Sequence, residues 1–406
     1  MGVAEMVRRW ILLTGATVIM MFIAIYQYSW SLFASGLSSD LKWPITAIQA
    51  AFTLHIYAAT FIQPLSGYLA DRFGPKGIAM FAGLMAALGF LLSSAASSPL
   101  HLYVYYVLGS LGVGALYGIS TSIAVKWFPD RRGLATGIVT FGFGAGTAIF
   151  NIPLQAWISN YGVKAAFLYT GTLMLIFIMP FTLIYSYPEA ANVSKSQSGG
   201  EEGGAADWRW HEMLRTRQWW LIYISFTAVA AIALLFGAQI APMAKAYNIS
   251  ADVLSLVLVA YPLANGFSRV LGGLLSDRVG RQLTAALFYA LTGAAMIALS
   301  CTVSNPTGFA SFVVMAALFA GAVFAFNPAL IGDFYGSKHS ATNYGITYTA
   351  KGWGGLISGY LTAHFSAALN SYAPLLIGLG IGALAAAALV SPWLLKKPEK
   401  KTVEKT

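Results

Sequence analysis

Two basic side chains stand out because they fall inside long apolar stretches of the sequence. These are Arg269 and Lys351, whereas all fourteen acidic residues lie outside such stretches or at their edges. A buried charge is costly unless an opposite charge or good hydrogen bonds compensate it. No carboxylate of the chain is placed to do so, and we therefore expect the balancing anion to come from outside.

The two side chains suit different parts of one small anion. An arginine presents a planar fork that binds a carboxylate through two parallel bonds, whereas a lysine is a compact point charge. Together Arg269 and Lys351 favour a small dianion. The alternative is that each extends to an interface or donates to backbone carbonyl oxygens.

Helical spacing places further polar groups beside these cations. Asn265 and Tyr261 precede Arg269 by four and eight residues, and Tyr348 precedes Lys351 by three. Residues at such spacings share one face of a helix. We expect them to line and orient the site, with packing between helices as the alternative for the tyrosines.

One titratable group, His55, lies in the middle of an apolar stretch of the N-terminal half. Histidine changes protonation near neutral pH, so His55 is a candidate for proton coupling. The alternative is a hydrogen-bonded contact between helices.

The elements that must position these residues are long apolar segments. Of 406 residues, 58% are hydrophobic and only 9% charged, against about a quarter charged in soluble domains. Segments of about 20 residues cross a bilayer at 1.5 Å per residue. We predict an all-α integral membrane protein with twelve spans, at 10–35, 46–70, 77–96, 101–126, 134–159, 164–187, 218–244, 253–276, 282–303, 306–332, 340–369 and 372–395.

The distribution of charge predicts how these spans are oriented. Most of the 24 basic residues fall in the even loops, the polar stretch 188–217 and the tail 396–406, and positive loops stay in the cytoplasm. We therefore expect a multi-pass protein of the cell (inner) membrane with cytoplasmic termini. Its parts are two six-helix halves, 1–187 and 218–395, the cytoplasmic loop 188–217 and the basic tail 396–406.

This topology explains the net charge of +10 without nucleic acid as a partner. The single Cys301 excludes an internal disulfide, and no cluster of metal ligands or acid–base pair typical of an enzyme is visible. We expect no cofactor and no metal. The expected partners are a small carboxylate anion, the lipid bilayer and, in one alternative, protons, and we expect a monomer.

A short motif occurs twice, about half the chain apart. It reads GYLADRFG at 67–74 and GLLSDRVG at 273–280, which indicates two repeated halves with a substrate site between them. Asp71, Arg72, Asp277 and Arg278 are candidates for a conformational gate at the cytoplasmic edge, since charges at helix ends can join neighbouring helices in one state only. The alternative is an ordinary tight turn.

The paired motifs resemble those of the major facilitator superfamily. QYSW at 27–30, WFPDRRGLA at 127–135, EMLRT at 212–216 and NYG at 343–345 resemble the oxalate/formate antiporter family, which is akin to the monocarboxylate transporters. The resemblance implies that Arg269 and Lys351 bind substrate. It also implies that Gln27 and Tyr28 line the cavity.

The chain departs from these relatives in its aromatic residues. Ala320, Phe324 and Tyr348 stand where the oxalate transporter frames its ligand with aromatic rings, and two of them replace tryptophans. Phe324 remains a candidate contact, but the cavity should be larger. Asn265 also replaces the proton-carrying aspartate of animal monocarboxylate transporters.

These residues predict a secondary carboxylate transporter that works by alternating access. We favour anion exchange of the oxalate/formate type, because a bound dianion would cancel both cations. The alternative is a proton-coupled symporter of lactate- or pyruvate-type monocarboxylates. The identity of the carboxylate stays open.

Overall fold

The computed structural model describes residues 3–188 and 207–399, and every regular element in these ranges is helical. The first range contains α1 (Val3–Ile23), α2 (Ile25–Tyr28), α3 (Trp30–Leu41), α4 (Ile45–Phe61), α5 (Gln63–Phe73), α6 (Pro75–Ser93), α7 (Pro99–Trp127) and α8 (Arg132–Ile184). We call residues 3–188 the first half.

Residues 207–399 form the second half. It contains α9 (Trp210–Leu214), α10 (Arg217–Ala246), α11 (Ala251–Val279), α12 (Arg281–Thr302), α13 (Pro306–Ala320), α14 (Val323–Tyr335), α15 (Ser340–Tyr348), α16 (Ala350–Leu356), a π-helical turn (Ile357–Leu361), α17 (Thr362–Leu369) and α18 (Ala373–Val390).

Nine helices in the described ranges are long and apolar enough to cross a membrane. Two of the predicted spans, 134–159 and 164–187, fall within the 53 residues of α8, whose helical geometry is interrupted between them at Gly162, where φ is +81° and ψ is +167°. Two others, 46–70 and 340–369, are interrupted into helices that are individually too short. The twelve-span count and the division into two six-helix halves stay predictions.

The interruptions lie near the predicted site residues. Ala24 and Ser29 separate α1, α2 and α3, so Gln27 and Tyr28 lie on the four-residue helix α2. Ile62 separates α4 from α5, and Pro64 follows as the second residue of α5. Because proline has no N–H, it cannot continue the hydrogen-bond ladder of α4.

The predicted loop 188–217 lies largely outside the described residues, which resume at Asp207. The loop's last part packs on the second half: the Trp208 N–H donates to the Tyr335 carbonyl at 3.0 Å, and Asn343 donates to the Trp208 carbonyl at 3.0 Å. Of the predicted tail 396–406, the structure describes only 396–399.

Glycines allow close helix contacts within the first half. The hydroxyl of Tyr26 donates to the Ala86 carbonyl at 2.7 Å, and that of Tyr106 donates to the Tyr26 carbonyl at 2.7 Å. A Cβ atom on Gly109 would stand 1.9 Å from the Tyr26 hydroxyl. Small residues let membrane helices approach in this way.

The two halves meet at the end of the molecule that carries the repeated motif, here called the motif face. Asp71 accepts hydrogen bonds from the N–H of Thr342 at 2.7 Å and from its hydroxyl at 2.6 Å. Its other oxygen pairs with Lys126 of the first half at 2.8 Å. A carboxylate of the first half thus caps the beginning of α15 in the second half.

Asp277 makes the reciprocal contact. It accepts from the N–H groups of Gly133 at 3.0 Å and Leu134 at 2.7 Å, at the beginning of α8 in the first half. Its cation partner is Arg281 of its own half, at 2.8 Å. We call the contacts of Asp71 and Asp277 with the opposite half the motif latch.

The structure gives the two motif arginines no part in this latch. Arg72 is exposed and donates to the Tyr68 hydroxyl of its own helix at 2.8 Å, and Arg278 is exposed. The cations of the motif latch are instead Lys126 and Arg281. Arg132 adds a further link between the halves, to Asp333 at 2.6 Å.

We expect Gly109→Ala to destabilise the protein, because the added methyl group would displace Tyr26 from its bond with Ala86. Overpacking of this kind costs about 1–3 kcal/mol. The measurement is the melting temperature of purified protein. The matched control is Gly382→Ala, since a Cβ atom there would meet no atom within 4 Å, and an equal loss in both variants would contradict the packing argument.

We expect Asp71→Asn to loosen the motif face, because the neutral amide loses both its pairing with Lys126 and much of its attraction for the start of α15. Ser122 and Ser340, in opposite halves, have hydroxyls 3.2 Å apart. In a Cys301→Ser background, cysteines at both positions should form a disulfide in the closed state, and Asp71→Asn should lower its yield.

Arg72→Gln is the control for that experiment, because it removes the neighbouring motif charge without touching the latch. Its disulfide yield should equal that of the parent. Equal yields in all three proteins would show that Asp71 does not hold the face closed.

Candidate functional site

Arg269, on α11, is almost fully buried, with 1% of its surface exposed. It donates from Nη1 to the Thr140 carbonyl at 2.8 Å and from Nη2 to Asn265 Oδ1 at 3.0 Å. Its Nε has no hydrogen-bond acceptor among the described residues. The contact with Asn265 fits the predicted helical spacing, and the contact with Thr140 is of the backbone type that the sequence left as an alternative.

Lys351, on α16, is 7% exposed. Its Nζ donates to Gln27 Oε1 at 3.0 Å and to the Tyr348 hydroxyl at 3.1 Å. Gln27 belongs to the first half and Tyr348 to the second. In the described part of the chain no carboxylate lies within ion-pair distance of Lys351 or of Arg269.

One aromatic ring joins the two cations. The guanidinium carbon of Arg269 lies 5.0 Å, and Nζ of Lys351 5.9 Å, from the centre of the Phe324 ring. Both distances are within the range of cation–π attraction. The structure therefore brings the two buried cations together around the Phe324 ring.

A small cavity adjoins Lys351. It is lined from both halves, by Gln27, His55, Ile56, Ala59, Gln63, Val113, Gly114, Tyr117, Phe143, Tyr348 and Lys351. It has room for roughly one water molecule. Arg269 does not line it, so an anion that touches both cations requires side chains or halves to move apart.

His55 faces this cavity and is 1% exposed. Its Nδ1 lies 2.7 Å from the Ser110 hydroxyl oxygen, and that hydroxyl donates its hydrogen to the Tyr106 carbonyl at 2.5 Å. Ser110 has only one hydrogen to give, so Nδ1–H of His55 must be the donor between them. This pattern leaves Nε2 of the neutral ring as an acceptor.

The remaining predicted residues have other neighbours. The ring centre of Tyr28 lies 5.5 Å from that of the cavity residue Phe143, and Tyr261 packs near Phe236 at 6.4 Å. Both are half-buried. Ala320 is fully buried.

Several residues of the site are absent from the sequence prediction. They are Thr140 and Phe143 on α8, Tyr117 on α7 and Gln63 on α5. Tyr117 stacks near Tyr348, with ring centres 4.8 Å apart. Gln63 carried a usable signal, since it is a polar residue deep inside a predicted span, as His55 is.

No group of three or more metal-ligating side chains occurs in residues 3–188 and 207–399. The site consists of two cations, the neutral oxygens that accept their hydrogen bonds, and an aromatic lining.

Comparison with known proteins extends over the whole chain. The sequence model of the Major Facilitator Superfamily matches it twice, over residues 12–240 and 225–406. The oxalate:formate antiporter of Oxalobacter formigenes is 33% identical over 357 residues, which cover 87% of this chain and 84% of that protein. Monocarboxylate transporter 9 of Gallus gallus is 34% identical over 114 residues, 28% of this chain and 22% of that protein.

Among solved structures, the proton:xylose symporter XylE has a similar fold. It superposes with a TM-score of 0.74 at 13% sequence identity, covering 96% of each chain. The resemblance inferred from the repeated motif is thus confirmed, and so is the fold. The protein is a membrane transporter rather than an enzyme, and the chain belongs to the major facilitator superfamily.

Proposed function

We propose that this protein exchanges small carboxylate anions across the cell membrane, with Arg269 and Lys351 as the ligands of the carboxylate groups. The observation that carries the proposal is that both cations are buried, lie 5.0 and 5.9 Å from the centre of the Phe324 ring, and have only neutral oxygens as acceptors among the described residues. An intramembrane charge costs at least about 2.5–3.5 kcal/mol. A dianionic ligand offsets this cost for both.

The hydrogen bonds of the cations support alternating access around this site. Arg269 of the second half donates to Thr140 of the first, and Lys351 of the second half donates to Gln27 of the first. Separating the halves would break these bonds and leave each cation with a single acceptor of its own half, Asn265 for Arg269 and Tyr348 for Lys351. A carboxylate that takes the place of Thr140 and Gln27 as acceptor would let the halves separate while both cations stay bonded. The loaded carrier would then change conformation more readily than the empty one, which favours exchange over net transport.

The resemblance to the oxalate:formate antiporter points the same way. The motif face would be cytoplasmic, as the basic loops predict, and with its latch closed the conformation described here would be shut on the cytoplasmic side. The protein would act as a monomer.

The alternative function is proton-coupled symport of a monocarboxylate. It is favoured by one observation, the position of the titratable His55 in the lining of the cavity that Lys351 also lines, with Nδ1 hydrogen-bonded to Ser110. A monoanion would cancel only one cation, so a proton bound or released at the site would have to complete the cycle.

We expect Arg269→Lys and Arg269→Gln to weaken carboxylate binding at least tenfold. The lysine variant keeps the positive charge but lacks the planar guanidinium group that binds a carboxylate through two parallel bonds. The glutamine variant removes the charge itself, and removing one partner of a buried charged contact costs about 2–5 kcal/mol. Ligand-induced thermal stabilisation of purified protein identifies the best carboxylate, starting from oxalate, and calorimetric titration then gives the dissociation constants.

Arg72→Gln serves as the control for Arg269, because it removes an exposed arginine remote from the site and should bind as the parent does. Wild-type affinity in a folded Arg269→Gln protein would show that this arginine is not a ligand.

For coupling, we expect uptake into proteoliposomes to need carboxylate on the opposite side and to respond little to a pH gradient. A dianion neutralises the pocket, whereas the empty carrier keeps its bridging bonds. Robust accumulation in empty vesicles, driven by an inward proton gradient and weakened by His55→Ala, would reverse the choice in favour of symport.

A further inference from the structure

The side chain of Gln63 is a buried polar group whose hydrogen bonding is incomplete. It is 1% exposed and begins α5, directly after the break at Ile62. Its Nε2 donates to the Ala59 carbonyl at 3.5 Å. Its Oε1 accepts no hydrogen bond from any residue of 3–188 or 207–399, and an unpaired buried acceptor carries a desolvation penalty.

The surroundings of Gln63 fix its amide at the contact between the halves. A Cβ atom on Gly345 of the second half would lie 2.5 Å from the backbone carbonyl oxygen of Gln63, and one on Gly118 would lie 3.4 Å from Oε1. The two glycines thus leave room for the backbone and for the amide. Gln63 lines the cavity that Lys351 also lines.

The cavity is lined by donors and acceptors from both halves. The second half supplies the cationic donor Lys351, and the first half supplies the acceptors Gln27 Oε1, which Lys351 already occupies, and Gln63 Oε1. The hydroxyls of Tyr117 and Tyr348 can donate or accept. A carboxylate group satisfies the donors but is itself only an acceptor. A carboxylate therefore cannot donate the hydrogen bond that Gln63 Oε1 lacks.

We propose that Gln63 Oε1 accepts a hydrogen bond from a hydroxyl group of the ligand, so that the site selects 2-hydroxycarboxylates. This inference rests on the proposed function, since it needs a carboxylate on Arg269 and Lys351. A hydroxyl on the carbon next to the carboxylate supplies a neutral donor close to the anionic group. An ammonium group there would instead add a third positive charge to a pocket with no carboxylate among the described residues.

The corresponding analogues are disfavoured for separate reasons. A 2-oxo acid places a carbonyl oxygen against Oε1, which sets acceptor against acceptor. An unsubstituted acid leaves Oε1 unpaired, and sites built around a buried polar group discriminate against analogues that lack its partner.

The test compares ligands that differ only in this group. Calorimetric titration of the purified full-length protein uses tartronate with malonate, which are dianions, and lactate with propionate and pyruvate, which are monoanions. If the dianions bind, tartronate should bind about five- to tenfold more tightly than malonate, and if the monoanions bind, lactate should exceed propionate and pyruvate by the same factor. One hydrogen bond typically supplies a factor of about this size. In Gln63→Leu and Gln63→Met this ratio should fall to about one.

Gln239→Leu is the matched control. Gln239 is another buried glutamine, but it bonds the Gly359 carbonyl and the Tyr372 hydroxyl within the second half. Its variant should keep the wild-type ratio. Because each ratio is measured within one protein, a modest loss of stability does not alter it.

Three results would overturn the inference. Equal binding of hydroxy acids and their analogues by the wild type would show that the hydroxyl is not recognised, and an unchanged ratio in both Gln63 variants would assign recognition elsewhere. In either case carboxylate binding that still depends on Arg269 leaves the proposed function intact. If no carboxylate binds the wild type, both proposals fail together.

Discussion

The structure of the central site depends on the burial of two positive charges that have no carboxylate of residues 3–188 or 207–399 within ion-pair distance. Arg269 and Lys351 are compensated by neutral dipoles alone, from Thr140, Asn265, Gln27 and Tyr348. Such dipoles replace part of the lost hydration but cancel no net charge. The charge therefore remains available to an anion, and a low dielectric makes its attraction stronger than it would be in water.

Part of this site follows from the sequence because it depends on short-range regularity. Arg269 and Lys351 could be identified because they are basic residues inside apolar stretches that contain no acidic residue to pair with them. Helical spacing then found Asn265 and Tyr348, because residues three or four positions apart on a helix must be neighbours. Apolar segments and a repeated motif likewise predicted the fold.

The rest depends on how helices cross, which spacing along one helix does not encode. The partners Thr140 and Gln27 lie more than a hundred residues from the cations that they bind. At the motif face, the sequence grouped Asp71 with Arg72 as gate candidates, but it did not indicate Lys126, the cation on another helix that pairs with Asp71. The boundary between the predicted spans 134–159 and 164–187, by contrast, coincides with a break at Gly162, because a glycine readily adopts the positive φ found there.

The motif latch shows why a charge pair within each half suits a face that must open. Asp71 and Asp277 each cap the first turn of a helix in the opposite half, yet the cation of each, Lys126 or Arg281, belongs to its own half. When the halves separate, the bonds to the helix ends break but the ion pairs can remain. Neither carboxylate is then left unpaired at the edge of the membrane, where an isolated charge is costly. For the two motif aspartates, opening therefore costs the capping bonds rather than their ion pairs, whereas the Arg132–Asp333 pair, which does join the halves, would break and leave Asp333 paired with Arg281 of its own half.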